Sequence, residues 1–173
     1  MTSDWNPVFK RAESGQEDEV LAVLDETAAW LAARGVQQWP ARFERAWIEP
    51  AVARGETWLV EVEGKVAATV TLDWSDPLWE EDGDAGYVHR MAVRRWAAGL
   101  GGRVLGWAGD VARAEGRAYL RLDCVASNRR LRAYYESAGF AHRGDMTVGG
   151  APGQRESSGP VTLVSRYELA LAP

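Results

Sequence analysis

The sequence of 173 residues holds one cysteine and two histidines, few of the residues that cross-link chains or bind metals. The single cysteine, Cys124, excludes an intramolecular disulfide and every zinc motif built on several cysteines. His89 and His142 lie 53 positions apart, without the local spacing of metal ligands. We therefore expect no metal site and a cytoplasmic location, where thiols stay reduced.

Long apolar runs and a basic excess are also missing. No segment approaches the roughly 18 apolar residues that span a bilayer, and residues 1–5 lack the basic and apolar stretches of a secretion signal. There are 25 acidic against 20 basic residues, a formal net charge of −5, whereas nucleic-acid binding favours a basic domain. The sequence thus predicts neither a membrane nor a nucleic-acid partner.

Charge is divided unevenly along the chain. Residues 1–86 contain 18 acidic and 7 basic side chains, and residues 87–173 contain 7 acidic and 13 basic ones. A cationic ligand near the first half and a polyanionic ligand near the second would both be favoured. The alternative is a chance asymmetry on a solvated surface.

The apolar fraction of 46% and the length predict one globular domain over residues 1–173. Apolar periodicity and turn residues predict the order β-α-α-β-β-β-α-β-α-β-β, and hence an α/β fold with one mixed sheet and helices on both faces. A capping box from Ser14 to Glu17 predicts the start of a first helix of about 19 residues, which Gly35 ends. The prolines between Val36 and Gly55 predict one broken or two short helices there.

A glycine-rich turn joins the fourth strand, Tyr87 to Val93, to the next helix. Gly99-Leu100-Gly101-Gly102 presents backbone N–H groups at a helix start, which suits a pyrophosphate. The flanking arginines 94, 95 and 103 could donate to phosphates or be solvated. The motif is neither a P-loop nor a dinucleotide fingerprint, and a tight connection alone would also explain its glycines.

A later helix begins at Asn128 and carries Leu131, Tyr134 and Tyr135 before Gly139-Phe140. Together with the glycine turn, it resembles the GNAT superfamily of N-acetyltransferases, in the bacterial type that acts on small-molecule or peptide amines. The order of segments agrees over nearly the whole chain. Trp96 stands where the family's acetyl-CoA motif has Arg or Gln.

The resemblance implies a mostly antiparallel sheet in which a bulge on the fourth strand separates it from the fifth. Acetyl-CoA would lie in that gap as co-substrate. The implied cofactor-binding residues are Met91, Ala92, Val93, Ala98, Gly99, Leu100, Gly101, Gly102, Asn128 and Tyr135.

The resemblance also implies a proton donor, since Tyr135 matches the position whose hydroxyl commonly lies by the CoA sulfur. The alternative is that Tyr135 only packs in the core. The family's usual base, a Glu on the fourth strand, is replaced by Tyr87. His89 on the same strand and Asp123 on the next are the candidate bases. A hydrogen-bonded core histidine and a structural ion pair of Asp123 with Arg90 or Arg121 are the alternatives.

We therefore expect an N-acetyltransferase that moves an acetyl group from acetyl-CoA directly to the amine of a small molecule or peptide in a ternary complex. Acids and two tryptophans between Asp73 and Asp84 favour a cationic acceptor, unless that loop is merely solvated. A homodimer is compatible with the sequence. The alternative function is a non-catalytic acetyl-CoA sensor or scaffold, which Trp96 and the missing Glu would suit.

Overall fold

A computed structural model describes residues 4–79, 83–154 and 159–173. These residues form seven strands and four α-helices in the predicted order, plus a short 3₁₀ turn at Arg95–Ala97. In chain order the elements are β1 Val8–Arg11, α1 Glu17–Ala33, α2 Arg45–Ala53, β2 Thr57–Val62, β3 Lys65–Asp73, β4 Ala85–Val93, α3 Gly101–Ala114, β5 Tyr119–Val125, α4 Arg129–Ser137, β6 Ala141–Gly149 and β7 Val161–Ala170.

The seven strands form one sheet in the order β1-β2-β3-β4-β5-β7-β6. Every neighbouring pair is antiparallel except β4 and β5, which run parallel. The parallel pair is joined by α3, as a crossover connection requires. This architecture confirms the predicted mixed, mostly antiparallel sheet.

The sheet opens between β4 and β5. The two strands pair only where β4 runs from Ala85 to Tyr87, and beyond Tyr87 they separate. On the opposite edge of β4, a bulge sets Arg90 and Met91 against the single residue Val70 of β3. Arg90 has a φ of 48°, a conformation that is uncommon for a residue other than glycine. The bulge bends β4 away from β5, so the predicted separation of the two strands is confirmed.

Helices cover both faces of the sheet, and each face has its own apolar core. The alternation of side chains along β2 sends Leu59 to the face of α1 and α2 and Val60 to the face of α3. Buried residues of α1 and α2 in the first core are Val20, Val23, Leu24, Ala28, Ile48 and Val52. Buried residues of α3 in the second are Val104, Leu105, Ala108 and Ala112.

Two local predictions were wrong. Helix α1 begins at Glu17 without a side-chain cap, because Gly15 takes a positive φ of 101° and the Glu17 carboxylate accepts the Gly15 N–H instead. Between Val36 and Gly55 only α2 forms a helix. The segment before α2 is held by tertiary contacts, including the Phe43 N–H donated to Asp25 at 2.7 Å.

No helix in the described ranges combines the length and the apolar character needed to cross a bilayer.

Candidate active site

A cavity of about 1000 Å³ follows the gap between β4 and β5. Its walls come from the second half of β4, the glycine turn, the start of α4, and the segment that joins α1 to α2. It therefore brings together nearly all of the predicted site residues. Those that line it are His89, Met91, Ala92, Val93, Ala98, Gly99, Gly101, Gly102, Asp123, Asn128 and Tyr135.

The glycine turn leaves backbone donors at the start of α3. The N–H groups of Ala98 and Leu100 bond carbonyls within the turn, and the Leu100 side chain is buried in the core. No backbone carbonyl in the described residues accepts the N–H of Gly99, Gly101 or Gly102. Three donors and the positive end of the helix dipole therefore face one end of the cavity.

Gly101 has a close neighbour. A Cβ at this position would lie 2.8 Å from the Tyr134 hydroxyl oxygen of α4. By contrast, a Cβ at Gly102 would meet nothing within 4 Å. The phenol of Tyr134 thus closes over the helix start, and the missing side chain of Gly101 makes room for it.

Two guanidinium groups lie at this end of the cavity, although only one was among the three arginines considered from the sequence. Arg95 and Arg34 each approach the Trp30 ring to 4.1 Å, and all three residues line the cavity. Arg94 instead forms an ion pair with Glu26 and donates to the Val66 carbonyl. Positive charge from Arg34, just after α1, and from Arg95, in the turn, therefore lines the same cavity as the glycine N–H groups.

Trp96 lies outside the cavity. Its side chain is 47% exposed and meets the Trp5 ring edge-on. Arg103 also turns away, since it donates to the Trp5 carbonyl. Trp96 therefore does not line the cavity beside the glycine donors.

Along the gap, β4 offers backbone groups to the cavity. Ala92 and Val93 pair with β3 on one edge. On the other edge, the described strand pairing with β5 ends at Tyr87, so Met91, Ala92 and Val93 have no strand partner there. Unpaired backbone N–H and C=O groups need a polar partner. An extended ligand with amide groups would supply one.

Tyr135 lies midway along the cavity wall. Its ring is buried and packs against Tyr134, Phe140 and Tyr167, with centroids 5.7 to 6.0 Å apart. Burial, and then the charges of Cys124 and Asp123, raise the pKa of the Tyr135 phenol. No described residue hydrogen-bonds its hydroxyl. The phenol therefore stays protonated and available as a donor.

Asn128 caps α4 and also ties two walls of the cavity together. Its Oδ1 accepts the Leu131 N–H at 3.2 Å, which confirms the predicted cap. Its Nδ2 donates to Oε1 of Gln38, in the segment between α1 and α2. The same Gln38 oxygen accepts the Val125 N–H at 3.1 Å.

Cys124 is 1% exposed, and burial raises the pKa of its thiol to about 12. The thiolate is the nucleophilic form. Cys124 therefore packs as a buried apolar side chain and is not a nucleophile of this cavity.

Carboxylates surround His89 at the far end of the cavity. Its Nε2 lies 3.3 Å from Oδ1 of Asp73 and 3.8 Å from Oδ2 of Asp76. Asp76, His89 and Asp123 also bring one polar atom each to within 4.8 Å of one another. Burial lowers the pKa of His89, but the three aspartates raise it, and the net direction is upward. A metal ion or an ammonium group would be attracted here.

Tyr87 lies outside this group. It is 1% exposed, and its hydroxyl oxygen accepts a hydrogen bond from Arg121 at 3.0 Å. Arg121 also donates to Glu168 in a buried ion pair at 2.8 Å. Tyr87 therefore belongs to a structural network.

The far end of the cavity, around His89, is lined by tryptophans as well as acids. We refer to it as the acceptor end. Trp39 and Trp47 line this wall. Of the acidic loop, Asp73 and Asp76 face the cavity. The acids at positions 80–82 lie outside the described residues, and Oδ1 of Asp84 accepts the Ala118 N–H at 3.3 Å.

Sequence reasoning missed Arg34, Gln38, and the roles of Asp73 and Asp76. The register of β3 against β4 could have indicated the role of Asp73. Asp73 pairs with Tyr87, which lies two residues before His89 and on the same face of the sheet. No periodicity predicts Gln38, which reaches the site from an irregular segment.

Comparison with known proteins gives a consistent result. A family model described as the acetyltransferase (GNAT) family matches residues 24–140. YesJ of Bacillus subtilis, an uncharacterized N-acetyltransferase, is 34% identical over 149 residues, which cover 79% of this chain and 80% of that protein. A GNAT family acetyltransferase structure from Listeria monocytogenes matches with a TM-score of 0.73 at 24% identity, over 95% of both chains. YncA of Salmonella typhimurium, solved with acetyl-CoA, matches with a TM-score of 0.66 at 18% identity, over 97% of this chain and 95% of that one.

Proposed function

The chain belongs to the GNAT family of acetyltransferases, and we propose that it moves an acetyl group from acetyl-CoA to a primary amine of a small molecule or peptide, with both substrates bound at once. The observation that carries this proposal is one continuous cavity. It runs from the glycine donors, past the open edge of β4 and the Tyr135 hydroxyl, to the imidazole of His89.

The cofactor half of the cavity suits coenzyme A in charge and shape. The free N–H groups of Gly99, Gly101 and Gly102, with Arg34 and Arg95, would hold its pyrophosphate. Residues 91–93 would bond the amide-bearing arm along the unpaired edge of β4. A backbone N–H there would also polarise the thioester carbonyl.

Three proton transfers complete the reaction. His89 or Asp123 accepts a proton from the acceptor ammonium, and the freed amine attacks the carbonyl carbon. The new C–N bond forms, the C–S bond breaks, and Tyr135 gives its proton to the departing thiolate, which has an ordinary pKa near 8.5. The nitrogen of the new C–N bond then loses its second proton to the Tyr135 phenolate, which restores the phenol. Acetylated amine and CoA thiol are the products.

The acceptor end supports a cationic amine. Asp73 and Asp76 bring negative charge to a partly buried wall, where solvent screens it less than at the surface. Trp39 and Trp47 supply aromatic faces that can contact a cation or an aliphatic chain. A neutral or anionic acceptor would gain neither the charge attraction to the carboxylates nor a cation–π contact with the tryptophan rings.

A thiol-release assay tests the function. Acetyl-CoA is mixed with the protein and a panel of cationic, neutral and peptidic amines, and free CoA is measured. We expect amine-dependent release that is fastest with cationic acceptors. Tight acetyl-CoA binding without turnover across the panel would instead support the sensor function.

Calorimetry tests the pyrophosphate site separately. Acetyl-CoA should bind more tightly than acetyl-pantetheine, which lacks the pyrophosphate. Equal affinities would show that the glycine donors do not hold it.

A further inference from the structure

The orientation of His89 places its Nε2 atom beside a buried carboxylate oxygen. This oxygen, Oδ1 of Asp73, receives no aligned hydrogen bond from any described residue. Buried carboxylate oxygens are almost always hydrogen-bonded. The Nε2 atom of His89, 3.3 Å away, is the group that can donate.

A second carboxylate reinforces this orientation. Asp76 follows the end of β3 in a tight turn, where its Oδ1 accepts the Leu78 N–H at 2.9 Å. This bond fixes the carboxylate, and its other oxygen, Oδ2, lies 3.8 Å from Nε2 of His89. The Asp76 side chain is 8% exposed. Two anchored negative charges thus face the same ring nitrogen.

These contacts favour the tautomer of the neutral ring that carries its proton on Nε2. A neutral imidazole carries one proton, so a proton on Nε2 makes Nδ1 the acceptor. No described residue donates to or accepts from Nδ1. The ring itself lines the cavity at the acceptor end.

We propose that Asp73, assisted by Asp76, is a positioning residue that holds the proton of His89 on Nε2 and makes Nδ1 the general base for the acceptor amine. The proposal rests on the proposed acetyl transfer. The ammonium N–H bond breaks as the Nδ1–H bond forms, and the electron pair stays on the amine nitrogen that attacks. The Nε2 proton stays between His89 and Asp73, and the resulting imidazolium is stabilised by both carboxylates.

The proposal has a consequence for pH. The base works only when neutral, and the carboxylates raise the pKa of His89, so the acid limb of kcat/KM should lie above the usual histidine value near 6.5. Within the described ranges, the charged groups near the ring are Asp73, Asp76 and Asp123. The adjacent Arg90 donates to the Trp47 carbonyl.

Two measurements on the full chain test the proposal. The first is nitrogen NMR of the two histidine rings over pH, which needs no acceptor. Wild-type His89 should be protonated on Nε2 when neutral, and Asp73→Asn should move its titration to lower pH. The signals of His142, which contacts Asp145, should not change. A neutral His89 protonated on Nδ1, or a titration unmoved by Asp73→Asn, would overturn the proposal.

The second measurement is the pH profile of turnover. Asp73→Asn should lower kcat about 10-fold, the scale expected for the orienting partner of a histidine, and should shift the acid limb to lower pH, while the KM for acetyl-CoA stays constant. His89→Gln should lose about 100-fold or more and lose the acid limb. The control is Asp110→Asn, which removes an exposed carboxylate of α3 that pairs with Arg113.

The outcomes separate the inference from the proposed function. If the wild type turns over but Asp73→Asn keeps both its rate and its acid limb, the positioning role is refuted and acetyl transfer stands. If the wild type releases no thiol with any amine, acetyl transfer is refuted, and the general-base role falls with it.

Discussion

Replacing Tyr135 with Phe removes one oxygen atom from the middle of the cavity wall. The phenylalanine ring keeps the packing against Phe140 and Tyr167. Because no described residue bonds the hydroxyl, its loss leaves no described donor or acceptor without a hydrogen-bond partner. The free energy of unfolding should therefore change by less than about 1 kcal/mol, the scale of one ordinary hydrogen bond.

The effect on catalysis should be much larger. A proton donor to the leaving thiolate acts mainly in the transition state, so kcat should fall about 10²- to 10⁴-fold. That loss corresponds to about 3 to 5 kcal/mol of transition-state stabilisation. Acetyl-CoA affinity should change little, since the ground state gains little from the hydroxyl.

Steady-state thiol release, calorimetry with acetyl-CoA, and urea unfolding measure the three quantities. Tyr119→Phe is the matched control, because this tyrosine of β5 lies outside the cavity lining and no described residue bonds its hydroxyl. An unchanged kcat for Tyr135→Phe would show that Tyr135 is not the proton donor and only packs in the core. Loss of kcat together with a large loss of stability would show that the packing argument is wrong.

Three further predictions concern binding and stability. Gly101→Ala should weaken acetyl-CoA binding, measured by calorimetry, because its Cβ would meet the Tyr134 hydroxyl at 2.8 Å; adding Tyr134→Phe should restore part of the affinity, and no recovery would contradict the steric cause. Gly106→Ala, inside α3 with nothing within 4 Å of its Cβ, should raise the free energy of unfolding by up to about 1 kcal/mol. A lower free energy of unfolding in urea would show that the added methyl group clashes with a neighbour. Glu168→Gln should lower the free energy of unfolding by about 3 to 5 kcal/mol, because the buried guanidinium of Arg121 loses the carboxylate of its ion pair. A change below about 1 kcal/mol would show that this ion pair is effectively solvated.

The order of elements could be predicted because it depends on local signals. Strand alternation, helical periodicity and glycine stops such as Gly35, with its φ of 69°, are properties of short windows. The start of α1 could not be predicted in the same way. The spacing from Ser14 to Glu17 fits a capping box, but Glu17 bonds the N–H of Gly15 and the helix starts later.

The site shows the same division between local and distant information. The glycine turn and Asn128 are contiguous motifs, and the sequence placed them beside one cavity. The carboxylate shell of His89 depends on the register of β3 against β4, which pairs Asp73 with Tyr87 and Thr71 with His89. Arg34 reaches the site through stacking on Trp30, a contact that no sequence spacing encodes.

The hydrogen bonds of Gln38 have a consequence for engineering. Its side chain comes from the segment between α1 and α2, yet it bonds the end of β5 and the cap of α4. The wall beside the acceptor and the wall beside the cofactor therefore share the side-chain amide of Gln38. One half of the cavity cannot be replaced without affecting the other. A loop grafted between positions 36 and 44 to change acceptor preference would leave the Val125 N–H and the Asn128 amide without their partner. Such a chimera needs Gln retained at position 38, or its acetyl-CoA affinity changes along with its acceptor.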